Sequence, residues 1–227
     1  VFNEMKGAMS SIGSVLYQAL TEAIFPTITY HNNSGGDPKH IPDLTHEQLV
    51  EFHKRHYHPS NSVFITYGNM NPLEHQEVFE EKVLSKFEYQ DFDFSVPDEQ
   101  RYSSPQKVVK EYPLPKEEPL EKQSHVINAW LLNPIMDADE LMRARILSGV
   151  LVDNSSSPLR LALESTDLGT APSMFCGLEE GTREAFFAAG LEGANGEDTD
   201  KIDALITETL EKVKKEGVPQ ESIEAVL

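Results

Sequence analysis

Ala171-Pro172-Ser173-Met174-Phe175-Cys176-Gly177-Leu178-Glu179 is followed by Glu180-Gly181 and then by Thr182-Arg183-Glu184-Ala185-Phe186-Phe187-Ala188-Ala189-Gly190-Leu191. Two strand-length runs divided by turn residues read as a hairpin, and a hairpin fixes an antiparallel sheet. Upstream, Ser124 to Leu132 reads as a more buried strand and Lys107 to Tyr112 as another. A helix is expected from about Ala138 to Val152, and Ser157-Pro158 opens a shorter one. Downstream, Asp198 or Thr199 starts a helix whose Ile202, Leu205, Ile206 and Val213 keep a 3.6-residue period until Gly217 ends it.

Further out, residues 88 to 106 break into acidic, serine and proline residues around Phe92, Phe94 and Tyr102, the composition of an interdomain connection. Before it, Thr45 with Gln48 forms a capping box and Leu44 with Leu49 a hydrophobic staple, so a helix should run from about His46 to His56. Val63, Phe64, Ile65, Thr66 and Tyr67 make Ser62 to Tyr67 a strand ended by Gly68-Asn69. Asn71 then caps a helix that has Pro72 at its first position, Glu74 as the reaching carboxylate and a stripe of Phe79, Val83 and Phe87 against a sheet. The fold class is therefore α+β: two tandem domains, each a mainly antiparallel sheet with helices packed on one face.

The 19 basic and 38 acidic side chains give a net charge of −19. That balance argues against nucleic acid, because phosphate neutralisation needs a basic face. Such acidity serves solubility, or lines a chamber that draws in basic peptides. An apolar fraction of 39% allows two modest cores. No apolar run approaches the roughly 18 to 20 residues of a membrane span, so no membrane partner is expected. The lone Cys176 rules out an internal disulfide and fits a reducing compartment.

His53, His56 and His58 invite a metal reading, but an i, i+3 pair without a third ligand is a poor zinc site, and Pro59 takes His58 off the helix. They read as structural histidines. Gly35-Gly36, followed by Asp37-Pro38 and by no Lys-Ser or Lys-Thr, reads as a turn between helices and not as a phosphate loop.

At the start stands Val1-Phe2-Asn3-Glu4-Met5-Lys6-Gly7, in a proline-free stretch to Leu20 that suits a single helix packed on several sides. This run resembles the M16 family of inverted-motif zinc peptidases, its presequence-protease branch above all. The likeness continues through Ser34-Gly35-Gly36-Asp37-Pro38, Ile41-Pro42-Asp43-Leu44-Thr45 and Tyr57-His58-Pro59-Ser60-Asn61. It extends more faintly to Ser155-Ser156-Ser157-Pro158-Leu159 and Gly181-Thr182-Arg183-Glu184-Ala185-Phe186. In that family an upstream His-x-x-Glu-His helix supplies two histidine ligands and a general base, and a glutamate on a later helix completes the site. The resemblance puts Glu4 on that later position, as a zinc ligand. No His-x-x-Glu-His occurs in the 227 residues: Val50 follows His46-Glu47 where a histidine would be needed, and His53, His56 and His58 enclose no glutamate.

The resemblance thus implies a fragment of a zinc-dependent endopeptidase that degrades short unfolded peptides in a closed chamber. Residues 1–98 would be the C-terminal part of the first, zinc-site domain, and 99–227 most of a second, non-catalytic one. Zn2+ belongs to the parent, and the isolated piece is expected to be inactive. Partners implied are peptide substrates and the N- and C-terminal parts of the same chain; dimerisation of the piece through apolar area left bare is open. The expected compartment is the cytoplasm in a bacterium, or else the mitochondrial matrix or a plastid. The alternative is a non-catalytic M16-like module that holds structure or substrate. Retention of Glu4 favours the enzyme.

Overall fold

The computed structural model describes residues 1–227, which divide into two compact units: Val1–Phe2 with Asp37–Ser95, and Asn3–Gly36 with Val96–Leu227. The α+β class holds, with one antiparallel sheet and helices around it.

The larger unit is organised by its longest buried strand. In chain order its elements are helices α1 (Phe2–Ala8) and α2 (Ile12–Ile24), then strand β1 (Ser124–Pro134). After β1 come α5 (Ala138–Val152), α6 (Pro158–Ser165), β2 (Ala171–Pro172), β3 (Gly177–Glu179), β4 (Glu184–Ala194), α7 (Thr199–Glu216) and α8 (Gln220–Glu224), while α3 (His46–His56) and α4 (Pro72–Lys82) belong to the smaller unit. β4 lies between β1 on one side and β2 and β3 on the other, all antiparallel, with Ile127 opposite Gly190 and Trp130 opposite Phe187. The hairpin read from the sequence is therefore present, although its first arm is interrupted between Pro172 and Gly177.

Alternation along β4 builds two cores. Phe187, Ala189 and Leu191 point to one face and meet Leu151 and Val152 of α5, Leu159 and Leu163 of α6, and Ile202 and Ile206 of α7. Phe186 and Ala188 point to the other, against Leu20 of α2 with Phe25 and Ile28. Because Ala185 to Ala189 is apolar in both parities, covering one face alone would leave phenylalanine in water. The helices expected on one face account for α5 to α7, and α2 covers the second. β1 and β4 approach closely at Gly190, where an added Cβ would collide with the Val126 carbonyl oxygen and lie 2.9 Å from Ile127 Cα.

The single helix expected through Leu20 is instead two. The chain breaks at Met9–Ser11, where the Ser10 hydroxyl donates to the Gly7 carbonyl at 2.6 Å and so takes an acceptor left over at the end of α1. Ser11 stands at the N-cap of α2. Lys107–Tyr112 forms no strand. Its contacts are made by side chains, from Lys107 to Asp200 at 2.7 Å and from Lys110 to Glu22 at 2.8 Å.

The smaller unit holds α3 (His46–His56) and α4 (Pro72–Lys82). The Thr45/Gln48 capping box is present in full, with bonds of 2.8 and 3.2 Å, while Leu44 and Leu49 stay exposed. Asn71 caps α4 through Leu73 N–H, and Glu74 accepts from the Asn71 side chain instead of reaching the backbone. No strand forms at Ser62–Tyr67. The residues have strand composition, but a strand exists only through a hydrogen-bonding neighbour, and none lies beside this one. Val63, Ile65 and Tyr67 are 86%, 85% and 98% exposed. Phe64 instead packs on Phe79, with ring centroids 4.9 Å apart.

Candidate functional site

Glu4 lies in the first turn of α1, exposed, with neither a hydrogen-bond nor an ion-pair partner. The structure contains no group of three or more His, Cys, Asp or Glu side chains placed to hold a metal ion. A catalytic zinc takes three protein ligands and an open position, so one carboxylate in this chain does not constitute a zinc site.

Met5, the next residue, faces a cavity of about 780 Å³ between the α1–α2 corner and the loop before β4. Thioether and aromatic side chains, Met5, Met9 and Met174 with Tyr17, Tyr30 and Phe175, make its apolar wall, and serine, threonine, asparagine and glutamine side chains such as Ser14, Gln18 and Asn33 line the rest. Tyr17 and Phe175 pack at 5.7 Å between centroids. Burial pushes the Tyr17 phenol above its ordinary pKa, and the charge of Glu179 adds to the shift. The Tyr30 hydroxyl is held by accepting the Arg183 N–H at 3.0 Å. Asn33 closes the adjoining turn by accepting from Gly35 N–H at 3.0 Å, with Gly36 at φ 87°, which makes the glycine pair a turn. Soft, polarisable walls of this kind accommodate apolar side chains of varied shape.

A polar cluster unseen in the sequence lies elsewhere in the same unit. Glu184 opens β4 with 1% exposure, and Glu99 is 5% exposed. The Glu184 carboxylate accepts from the Glu99 N–H and from the Arg101 guanidinium, both at 2.6 Å. The Glu99 carboxylate accepts from Thr27 N–H at 3.0 Å, the Thr27 hydroxyl at 2.5 Å and Gln100 N–H at 2.7 Å. Burial pushes the Glu99 carboxyl up, but these donors outweigh it and hold the group below its ordinary pKa. With its lone pairs so occupied, the cluster is a structural clasp that fixes the 96–101 segment to the α2–Tyr30 corner and the sheet. No signal in the sequence marks it, because its members lie 72 and 85 positions apart.

The histidines of the smaller unit serve as rings. His53 stacks on Tyr57 at 4.7 Å and His56 on Phe52 at 4.3 Å. Buried His58 meets Phe87 and Phe92 edge-on, and its Nδ1 accepts the Ser60 N–H at 3.2 Å, which puts the proton of the neutral ring on Nε2.

Residues 43–227 match the family model described as the Peptidase M16 inactive domain. The chain belongs to the M16 peptidase family. It is 44% identical over 234 residues to the mitochondrial presequence protease of Xenopus tropicalis, covering 100% of this chain and 22% of that protein. It is 34% identical to presequence protease 1, chloroplastic/mitochondrial, of Arabidopsis thaliana, over 99% of this chain and 21% of the relative. Protein HypA of Clostridium perfringens is 32% identical over 99% of the chain and 23% of its own length. The chain thus spans about a fifth of the length of these relatives. Among solved structures, a protease from Helicobacter pylori superposes with a TM-score of 0.63 at 18% identity, over 99% of this chain and 53% of that one, a likeness of fold.

Proposed function

We propose that this chain is part of a zinc-dependent endopeptidase that degrades short unfolded peptides in a closed chamber. The observation that carries the reading is the similarity of the whole chain to presequence proteases. In the parent, Glu4 would be one ligand of a zinc whose other ligands and general base come from outside these residues; the metal would supply a polarised carbonyl and an acidified water. Residues 1–98 are assigned to the first, zinc-site domain and 99–227 to a second, non-catalytic one. Unpaired Ser62–Tyr67 is then a strand of a sheet that the rest of the parent completes. Partners are peptide substrates and the other parts of the same polypeptide, and the bare apolar residues of the isolated piece would support its dimerisation. The net charge of −19 favours basic peptides. The compartment follows the source: cytoplasm in a bacterium, mitochondrial matrix or plastid otherwise.

A second reading, a non-catalytic M16 module, is favoured by the description of the matching family model as an inactive domain. Metal analysis and peptide cleavage by the 227-residue chain and by its full-length parent separate the two. The enzyme reading expects about one zinc and cleavage in the parent, with neither in the isolated chain. A parent without zinc and without cleavage supports the module.

A further inference from the structure

Glu4 has no hydrogen-bond or ion-pair partner of its own, so its carboxylate stands wherever α1 places it. α1 is seven residues long and buries none of them. An isolated helix of that length is marginal in water at best, so contacts outside it must fix its position. Two thioethers on one face supply them. The Met9 N–H donates to the Met5 carbonyl at 2.9 Å, which sets the two side chains one turn apart, and both meet the turn at 33–35.

At Gly35 an added Cβ would collide with Met5 Sδ and lie 2.7 Å from its Cε. The thioether thus fills the place where a side chain at 35 would stand. Gly36 carries the left-handed backbone of this turn, at φ 87°, and Gly35 does not. Alanine at 35 would therefore suit the main chain and fail only against Met5. The Asn33 side chain serves both contacts: Oδ1 accepts the Gly35 N–H at 3.0 Å, and Nδ2 donates to Met9 Sδ at 3.7 Å. Sulfur is a weak acceptor, so the close fit of Met5 on Gly35 does more to seat the helix.

We propose that Gly35 is a positioning residue: its bare Cα seats the Met5 thioether, and the seat holds the turn of α1 that carries Glu4. This role rests on Glu4 being a zinc ligand in the parent. A methyl group at 35 leaves Met5 two ways out. It swings into the adjoining cavity of about 780 Å³, which unseats α1, or it stays and pushes α1 away. Either displaces the carboxylate.

Zinc titration of the full-length parent tests this, read beside its urea midpoint. Gly35→Ala and Met5→Ala should each weaken zinc binding about 10-fold, the loss that supporting residues around a metal site show, with the urea midpoint little changed. In the Met5→Ala background Gly35→Ala should cost no further affinity, because the atom it collides with is gone. A Gly35→Ala parent that binds zinc as tightly as the unmodified one would overturn the proposal. So would losses that multiply in the double variant, since Gly35 would then act through the main chain of its turn. If Gly35→Ala fails to fold, Met5→Ala decides: weakened zinc binding supports the seat, and unchanged binding overturns it. Glu4→Gln, titrated alongside, separates this role from the ligand reading itself. Zinc lost from Glu4→Gln and kept by Gly35→Ala removes the positioning role alone; zinc kept by Glu4→Gln removes both.

Discussion

The backbone N–H of Glu99 donates to the side chain of Glu184 at 2.6 Å, a bond between two buried glutamates 85 positions apart. It makes the start of β4 an anchor for a segment that otherwise has no regular structure. Glu184→Ala would leave the buried Glu99 N–H without its acceptor, while half-exposed Arg101 keeps the Leu132 carbonyl, and should lower stability by about 1 to 3 kcal/mol. Urea unfolding of the chain measures this, and a loss below about 0.5 kcal/mol would mean that the clasp is idle.

The clasp also predicts an acid response. The Glu99 carboxyl has a lower pKa folded than unfolded, so its contribution is fully present above the ordinary glutamate value of about 4.3 and is lost as pH falls through the folded value. Glu99→Gln should flatten the decline of the urea midpoint below about pH 4.5 relative to the unmodified chain. Parallel declines in the two proteins would place the acid sensitivity elsewhere.

At Gly190 the collision is with main-chain atoms of β1, which cannot swing aside as a side chain can. Gly190→Ala should therefore cost about 2 kcal/mol or more. A thermal melt unchanged within error would show that the strands separate there more easily than the structure implies.

What the sequence revealed follows from the range of each signal. The capping box at Thr45 and Gln48, the extent of α5 and the stop of α7 at Gly217, with φ 75°, are local, and each appears in the fold as read. Ser62–Tyr67 and Lys107–Tyr112 carry strand composition without a paired neighbour, because composition supplies a preference and only tertiary structure supplies the partner. The break after Ala8 turns on one serine hydroxyl bonded to a carbonyl three residues back. The Glu99–Glu184 clasp rests on separations that no periodicity records. For Glu4 the sequence offered a motif, and the structure adds its place in the first turn of α1, beside the Met5 cavity.

Zinc content and peptidase activity of the full-length parent carrying Glu4→Gln decide whether Glu4 is a zinc ligand. The substitution preserves size and replaces a charged oxygen donor with an amide, so the fold should persist. Zinc affinity and activity should fall together, about 10-fold or more, and added zinc should restore part of the activity by mass action. A Glu4→Gln parent that keeps its full zinc and its full activity would show that Glu4 is not a zinc ligand.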